Sequence, residues 1–218
     1  MFADNGGVGQ QNLYNVLRAY TAYNPSEGYC QAHAPLVSVL LMHMAEEQAF
    51  WCLVAMLDNY LKGYYGGQLE EVGNDGATLL NLLHIVHPKL HKRMLAANID
   101  APLFMVEWFM CLFARDLPWP SVLRIWDIFF CEGVKILFRV ALVLLRHCTA
   151  HLSKIPRELY ELLSCLKIKN MPREILQAEF LITEAFKLPI KDSDMSREHK
   201  KVVRQKIKKS KSAQSSQT

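Results

Sequence analysis

Apolar residues recur at helical spacing along most of this chain. Over 10–23, Leu13, Val16, Leu17 and Tyr20 follow the i, i+3, i+4, i+7 pattern of a helix with one buried face. Asn24-Pro25 ends that helix, because the proline ring disfavours α conformation at the residue before it. Segments 31–44 and 46–61 predict two more helices rich in Leu, Met and aromatics, and 63–67 reads as a Gly-rich turn. Asn74-Asp75-Gly76 offers capping residues for a helix running to about 86. Pro88 suits the first turn of another over 88–97. The stretch 103–113 is apolar on nearly every side except at Glu107, the mark of a helix buried all round. Leu117-Pro118-Trp119-Pro120 turns the chain into a helix over 121–131, which Gly133 breaks. Helices over 134–150, 156–168 and 172–187 follow. No segment alternates with period two for long. The pattern predicts an all-α, multi-helix domain of nine or ten helices without a sheet.

Charge divides the chain. Residues 191–218 hold nine Lys/Arg against three Asp/Glu, a net +6; residues 1–190 hold sixteen against eighteen, a net −2. The overall +4 therefore belongs to the tail. Apolar residues thin out there too, so little burial is available to offset ordering entropy. The expected division is a helical domain over 1–190 and a basic, disordered tail over 191–218, with a basic helix near 195–209. Residues 191–211 suit an anionic membrane surface, and nothing in the chain points to nucleic acid. The apolar run 136–145 falls short of the ~18 residues of a membrane span and carries Arg139. The first residues lack the basic stretch and apolar core of a secretion signal. None of the six cysteines forms a C-x-x-C pair. A reduced, cytoplasmic protein is expected, peripheral at membranes if the tail engages them.

Familiar chemistry is sparse. Gly6-Gly7-Val8-Gly9 lacks the Gly-Lys-Ser/Thr ending of a phosphate loop, and no Gly-x-Ser-x-Gly elbow occurs. His84, His87 and His91 could line one helix face, but a zinc site needs further ligands. Surface or half-buried histidines are the better account, and no metal or cofactor is expected. Glu107 needs a partner if buried, with Arg124 or Arg139 as mates. Asp127, in Arg124-Ile125-Trp126-Asp127, reads as packing and a helix–helix hydrogen bond. Gln31 stands at the junction of two helices. A neutral amide makes a poor base but can orient a water, as glutamines do in phosphoryl transfer. From the residues alone, a cap on the following helix is the better account of Gln31.

Five separated blocks add to this reading. They are Gly9-Gln10-Gln11-x-Leu13, Val16-Leu17-x-Ala19-Tyr20, Tyr23-Asn24-Pro25-x-x-Gly28-Tyr29-Cys30-Gln31, Glu107-Trp108-Phe109, and Arg124-x-Trp126-Asp127-x-Phe129-Phe130-x-Glu132-Gly133. Together they resemble the TBC domain of Rab GTPase-activating proteins. Leu40-Leu41-Met42-His43-Met44 and Lys62-Gly63-Tyr64-Tyr65 are similar to the subfamily associated with ezrin scaffolds. The resemblance implies an all-helical fold that stimulates GTP hydrolysis by a GTP-bound Rab in vesicle traffic, regulating that enzyme without being one. It implies that Gln31 is a glutamine finger with Tyr29 supporting its loop. It also implies an arginine finger in an Ile-x-x-Asp-x-x-Arg motif upstream of Gly9. No such run occurs in these 218 residues; Arg18 lies on another helix and Arg115 follows no such pattern. The chain is therefore expected to be a TBC domain lacking its N-terminal part, with weakened activity. The alternative is a non-catalytic helical module that binds a small GTPase or a membrane-surface partner.

Overall fold

In a computed structural model of the protein, the described residues are 2, 6–66, 69–152 and 159–215, and no strand occurs among them. The all-α fold expected from the pattern is the fold found. Helices α1 (Val8–Tyr23), α2 (His33–Leu41) and α3 (Glu46–Asn59) pack on one another. Next come α4 (Glu70–Val86), α5 (Pro88–Ala96), α6 (Pro102–Met110) and α7 (Trp119–Glu132). The remainder is α8 (Lys135–Leu152), α9 (Leu159–Leu166), two 3₁₀ turns, α10 (Ala178–Lys187) and α11 (Asp192–Ser215).

α8 is the axis of the body. Every residue over 136–145 is buried, and α4, α6, α7, α9 and α10 surround it. A helix that is apolar all round must be enclosed in this way. The one charge within 136–145, Arg139, is buried and lies 3.2 Å from Asp192, with its guanidinium 5.7 Å from the Phe186 ring centre.

Four local expectations are corrected. α4 starts at Glu70, a turn before Asn74-Asp75-Gly76, and those residues are buried inside it rather than capping it. Asp75 accepts a hydrogen bond from the buried Tyr64 hydroxyl, and a Cβ on Gly76 would come within 3.2 Å of Ala101. Gly76 serves a close α4–α6 contact and Asp75 a buried hydrogen bond, neither of which a solvent-facing cap would need. α6 stops at Met110, and it is not buried all round, because Leu103 and Glu107 face solvent. Leu112 and Phe113 then take left-handed φ values of 46° and 60°. Such φ values are unfavourable for bulky residues. Complete burial of both side chains and a 3.1 Å hydrogen bond from Trp126 Nε1 to the Leu112 carbonyl hold them there. Arg124 and Asp127 form an exposed i, i+3 pair at 3.8 Å, so Asp127 makes no helix–helix hydrogen bond.

The fourth correction is the tail. Residues 192–215 form one helix, and its first half is docked. Met195, Glu198 and Val202 are buried, at the i, i+3, i+7 spacing of one face, and α11 packs on α4. His199 Nε2 lies 2.7 Å from Glu71 and 3.5 Å from Asp75. Burial raises the Asp75 carboxyl to about 6, against the lowering effects of the Tyr64 hydroxyl and His199. The few apolar residues of the tail suffice because they share one face and meet a prepared polar partner. Residues 216–218, with the chain end Ser216-Gln217-Thr218, lie outside the described residues, as do 67–68 and 153–158.

Truncating Met195 to Ala removes buried contacts worth about 2 kcal/mol. Amide exchange over 192–203 is then expected to speed up by roughly 30-fold, since each ~1.4 kcal/mol is tenfold. Exchange at the unprotected rate in the unaltered protein would show instead that α11 is not docked.

Candidate functional site

The junction of α1 and α2 is a tightly bonded turn. Asn24 stops α1, and its carbonyl accepts the Gly28 amide at 3.0 Å and the Glu27 amide at 3.3 Å. Ser26 Oγ donates to Asn24 Oδ1 at 2.7 Å. Gly28 has φ +70° with open space around it, so it is chosen for conformation rather than room.

The floor of this turn is His33, fully buried at the start of α2. Its Nδ1 accepts the Cys30 amide at 3.3 Å, which assigns the proton to Nε2, 3.5 Å from Glu27 Oε1. The Tyr20 hydroxyl donates to the same Glu27 oxygen at 2.7 Å and accepts from Asn24 Nδ2 at 3.3 Å. Rings enclose the imidazole: Tyr65 at 4.6 Å, Tyr20 at 5.1 Å and Tyr29 at 6.5 Å between centres. Tyr65 also donates its hydroxyl to the Met110 carbonyl at 2.7 Å. Hydrogen bonds and ring contacts together thus tie the turn to the end of α6. Burial depresses the His33 imidazole to about 4, so it is neutral at neutral pH. Burial, with the Glu27 carboxylate, pushes the Tyr20 hydroxyl up.

Above this floor stand the two residues singled out from the sequence. Tyr29 is 58% exposed, its ring edge toward His33. Gln31 is exposed, and no side chain caps α2, so its amide is not used as a helix cap. Gln31 lines a groove of about 400 Å³ whose other wall is α6, with Val106, Met110 and Glu107, and beyond them Arg115. Glu107 pairs with Arg115 at 2.7 Å, not with Arg124 or Arg139, and both side chains are about half exposed. Such a hydrated pair contributes at most about 1 kcal/mol. Burial pushes the Cys111 thiol in this groove up to about 12, so it holds no thiolate nucleophile at neutral pH. The groove can present a neutral amide and an exchangeable ion pair. Trp126, Arg124 and Asp127 are elsewhere: Trp126 braces the turn after α6, and the other two lie on the surface of α7.

His84 and His91 contact edge to face at 4.9 Å, while the buried Nε2 of His87 has no hydrogen-bond partner. Among the described residues, the group spaced to share a cation is Glu71, Asp75 and His199, which already bond to one another. No helix among the described residues is long and apolar enough to cross a membrane.

The sequence model of the Rab-GTPase-TBC domain matches residues 1–153. The chain belongs to this family. It is 52% identical over 201 residues to TBC1 domain family member 10B of Mus musculus, covering 91% of the chain and 25% of that protein. It is 39% identical to TBC1 domain family member whacked of Drosophila melanogaster, covering 97% of the chain and 57% of that protein. The chain thus spans about a quarter of the length of the mouse relative. The crystal structure of the Chlamydomonas flagellar RabGAP TBC domain is similar with a TM-score of 0.67 and 30% identity, over 81% of this chain and 58% of that one. The TBC domain of Skywalker/TBC1D24 from Drosophila melanogaster shares the fold with a TM-score of 0.72 at 20% identity, over 89% of this chain and 65% of that one.

In this TBC domain Tyr20 was legible as core on the buried face of α1, and Tyr65 falls within a family block. His33 and Glu27, which complete the support of the turn, have no sequence signal of their own. The His33 imidazole is expected to titrate near 4, against an ordinary 6.5. The sign follows from burial: the folded pKa is depressed. As pH falls through 6.5 the unfolded chain gains a proton that folded His33 refuses, so stability is lost between about 6.5 and 4. Side-chain ¹⁵N chemical shifts of histidine across pH 4–8 measure this. A midpoint above 6 for His33 would show that Glu27 overrides burial.

Proposed function

We propose that this TBC domain stimulates GTP hydrolysis by a GTP-bound Rab protein, with Gln31 as the residue inserted beside the nucleotide. The observation that carries the reading is an uncapped, exposed glutamine amide on a turn held from beneath by buried hydrogen bonds. An amide offers both a donor and an acceptor, which suits it to orient an attacking water without removing its proton. Tyr29 supports the turn by its edge contact with His33. The setting we propose is vesicle traffic at the cytoplasmic face of a membrane. Family membership supports the reading. The 218 residues contain no Ile-x-x-Asp-x-x-Arg run, and such an arginine contributes ~10³–10⁵ to turnover.

The test is a hydrolysis screen over a Rab panel, using these 218 residues and a form extended to include an Ile-x-x-Asp-x-x-Arg segment, each with Gln31 or Gln31→Ala. Stimulation is expected to be weak in the short form and strong in the long one. In the long form Gln31→Ala is expected to cost more than ~10-fold, about 1.4 kcal/mol of transition-state stabilisation. Undiminished activity in Gln31→Ala would remove the finger role.

A second reading concerns α11, and its exposed cations favour it. Lys200, Arg204, Lys208, Lys209 and Lys211 are exposed, whereas Lys201 and Lys206 are engaged by Glu198 and Glu70. We propose that this protruding half of α11 adheres to an anionic membrane, each cation near the surface adding about 1 kcal/mol. Replacing Lys208, Lys209 and Lys211 by Ala is expected to weaken binding to phosphatidylserine-containing vesicles more than ~10-fold in low salt, and hardly at all in 0.5 M salt. Equal binding in low salt would leave α11 as a solvated helix.

A further inference from the structure

Gln31 shares its groove with a cation that the sequence pattern had set aside. Arg115 lines the same cavity of about 400 Å³, on the turn that follows α6. Its ion pair with Glu107 is half exposed on both sides. That pair is not what holds the turn. The Phe113 amide bonds the Trp108 carbonyl at 2.8 Å, Leu117 bonds Phe113 at 3.2 Å, and Trp126 holds Leu112 from α7. The side chains of Leu112 and Phe113 are fully buried. With the backbone fixed independently, the guanidinium is free to change partner. The carboxylates near it are Glu107 and Asp116. Burial raises Asp116 to about 6, and Arg115 acts in the opposite sense. A planar guanidinium fork matches two oxygens of a carboxylate or phosphoryl group, and it stays charged at any working pH.

We propose that Arg115 exchanges Glu107 for an oxyanion of the GTPase docked against Gln31. This rests on the Rab-activator reading given above and adds a second polar contact to that groove. Before docking, Glu107 holds the guanidinium at the rim of the groove. On docking, the incoming oxyanion displaces the Glu107 carboxylate, which returns to water. The shared chemistry of the partner is an anionic oxygen pair, either on the transferring phosphoryl group or on an acidic side chain of the GTPase.

The test measures affinity for a Rab panel loaded with GDP and aluminium fluoride, with GDP alone, or with a non-hydrolysable GTP analogue. Four proteins are compared: the unaltered chain, Arg115→Ala, Arg115→Lys and Glu107→Gln. Arg115→Ala is expected to bind at least tenfold more weakly, and Arg115→Lys to recover part of the loss. Glu107→Gln is expected to bind as well as the unaltered chain or several-fold better, because it removes the competitor. A purely structural ion pair would make Arg115→Ala and Glu107→Gln equally harmful, and that result overturns the inference. So does equal binding by Arg115→Ala and the unaltered chain. A loss confined to the aluminium fluoride and GTP-analogue complexes assigns the oxyanion to the phosphoryl group. A loss in the GDP complex as well assigns it to a carboxylate of the GTPase. Binding of no panel member by the unaltered chain overturns this inference, whereas the activator reading falls only if the extended form also fails to stimulate hydrolysis. Melting temperatures of the variants separate these effects from misfolding, and Arg115→Lys serves where Arg115→Ala does not fold.

Discussion

A helix that is apolar on every side can face water nowhere, and the fold is arranged to satisfy that demand for α8. Residues 136–145 are buried without a gap, so helices must cover all sides of the cylinder. α4, α6, α7, α9 and α10 do so. The one charge within that stretch sets a second demand. Arg139 cannot remain buried unpaired, and its mate is Asp192, the first residue of α11. Lys135 adds a 2.8 Å contact to the same carboxylate, the largest of the influences that hold Asp192 below the usual carboxylate range. A carboxylate at a helix N-terminus is also favoured by the helix dipole. The start of α11 is thereby fixed to the core, and its apolar face can then find α4.

The groove beside α2 follows from the same arrangement. α6 packs on α8 and ends where Leu112 and Phe113 turn the chain, which sets one wall. The other wall is the turn over His33. Tyr65 spans them, with its ring on His33 and its hydroxyl on the Met110 carbonyl. The role proposed for Gln31 requires its turn to be held in place before contact, since ordering it afterwards costs binding free energy. Here the ordering falls to the backbone of 24–33, leaving the Gln31 side chain itself uncommitted.

Much of this could be read along the chain, and the exceptions share a cause. Helix positions follow from periodicity, and Pro25, Pro88 and Pro102 mark boundaries by backbone chemistry alone. The errors fell on polar residues. Asn74 and Asp75 look like caps because such residues usually seek solvent-facing backbone, yet both are buried, Asp75 against Tyr64 and against His199, which is far away in sequence. Glu107 looked buried because its neighbours are apolar, yet one exposed position on a short helix is enough to free it. The tail looked too polar to dock, because composition does not reveal that Met195 and Val202 share a face with His199. Gln31 and Tyr29 were legible only through a family motif. His33, which supports them, was not, since a lone histidine in an apolar run looks the same whether it is core or ligand.

The polar groups divide by what they must do. Contacts beneath the Gln31 turn are buried and mostly neutral: an uncharged imidazole, tyrosine hydroxyls and backbone amides. Hydrogen bonds of that kind gain strength from the low dielectric and are insensitive to salt. At the rim of the same groove the contact is a hydrated pair, Glu107 with Arg115, which salt and any competing anion can open at little cost. Permanence and exchange thus call for opposite environments a few residues apart. A buried Glu107–Arg115 pair would have made a sturdier wall, but neither charge could then have left its partner without a large desolvation penalty. The exposure of both side chains is what leaves the groove able to answer an arriving charge while the turn that carries Gln31 stays fixed.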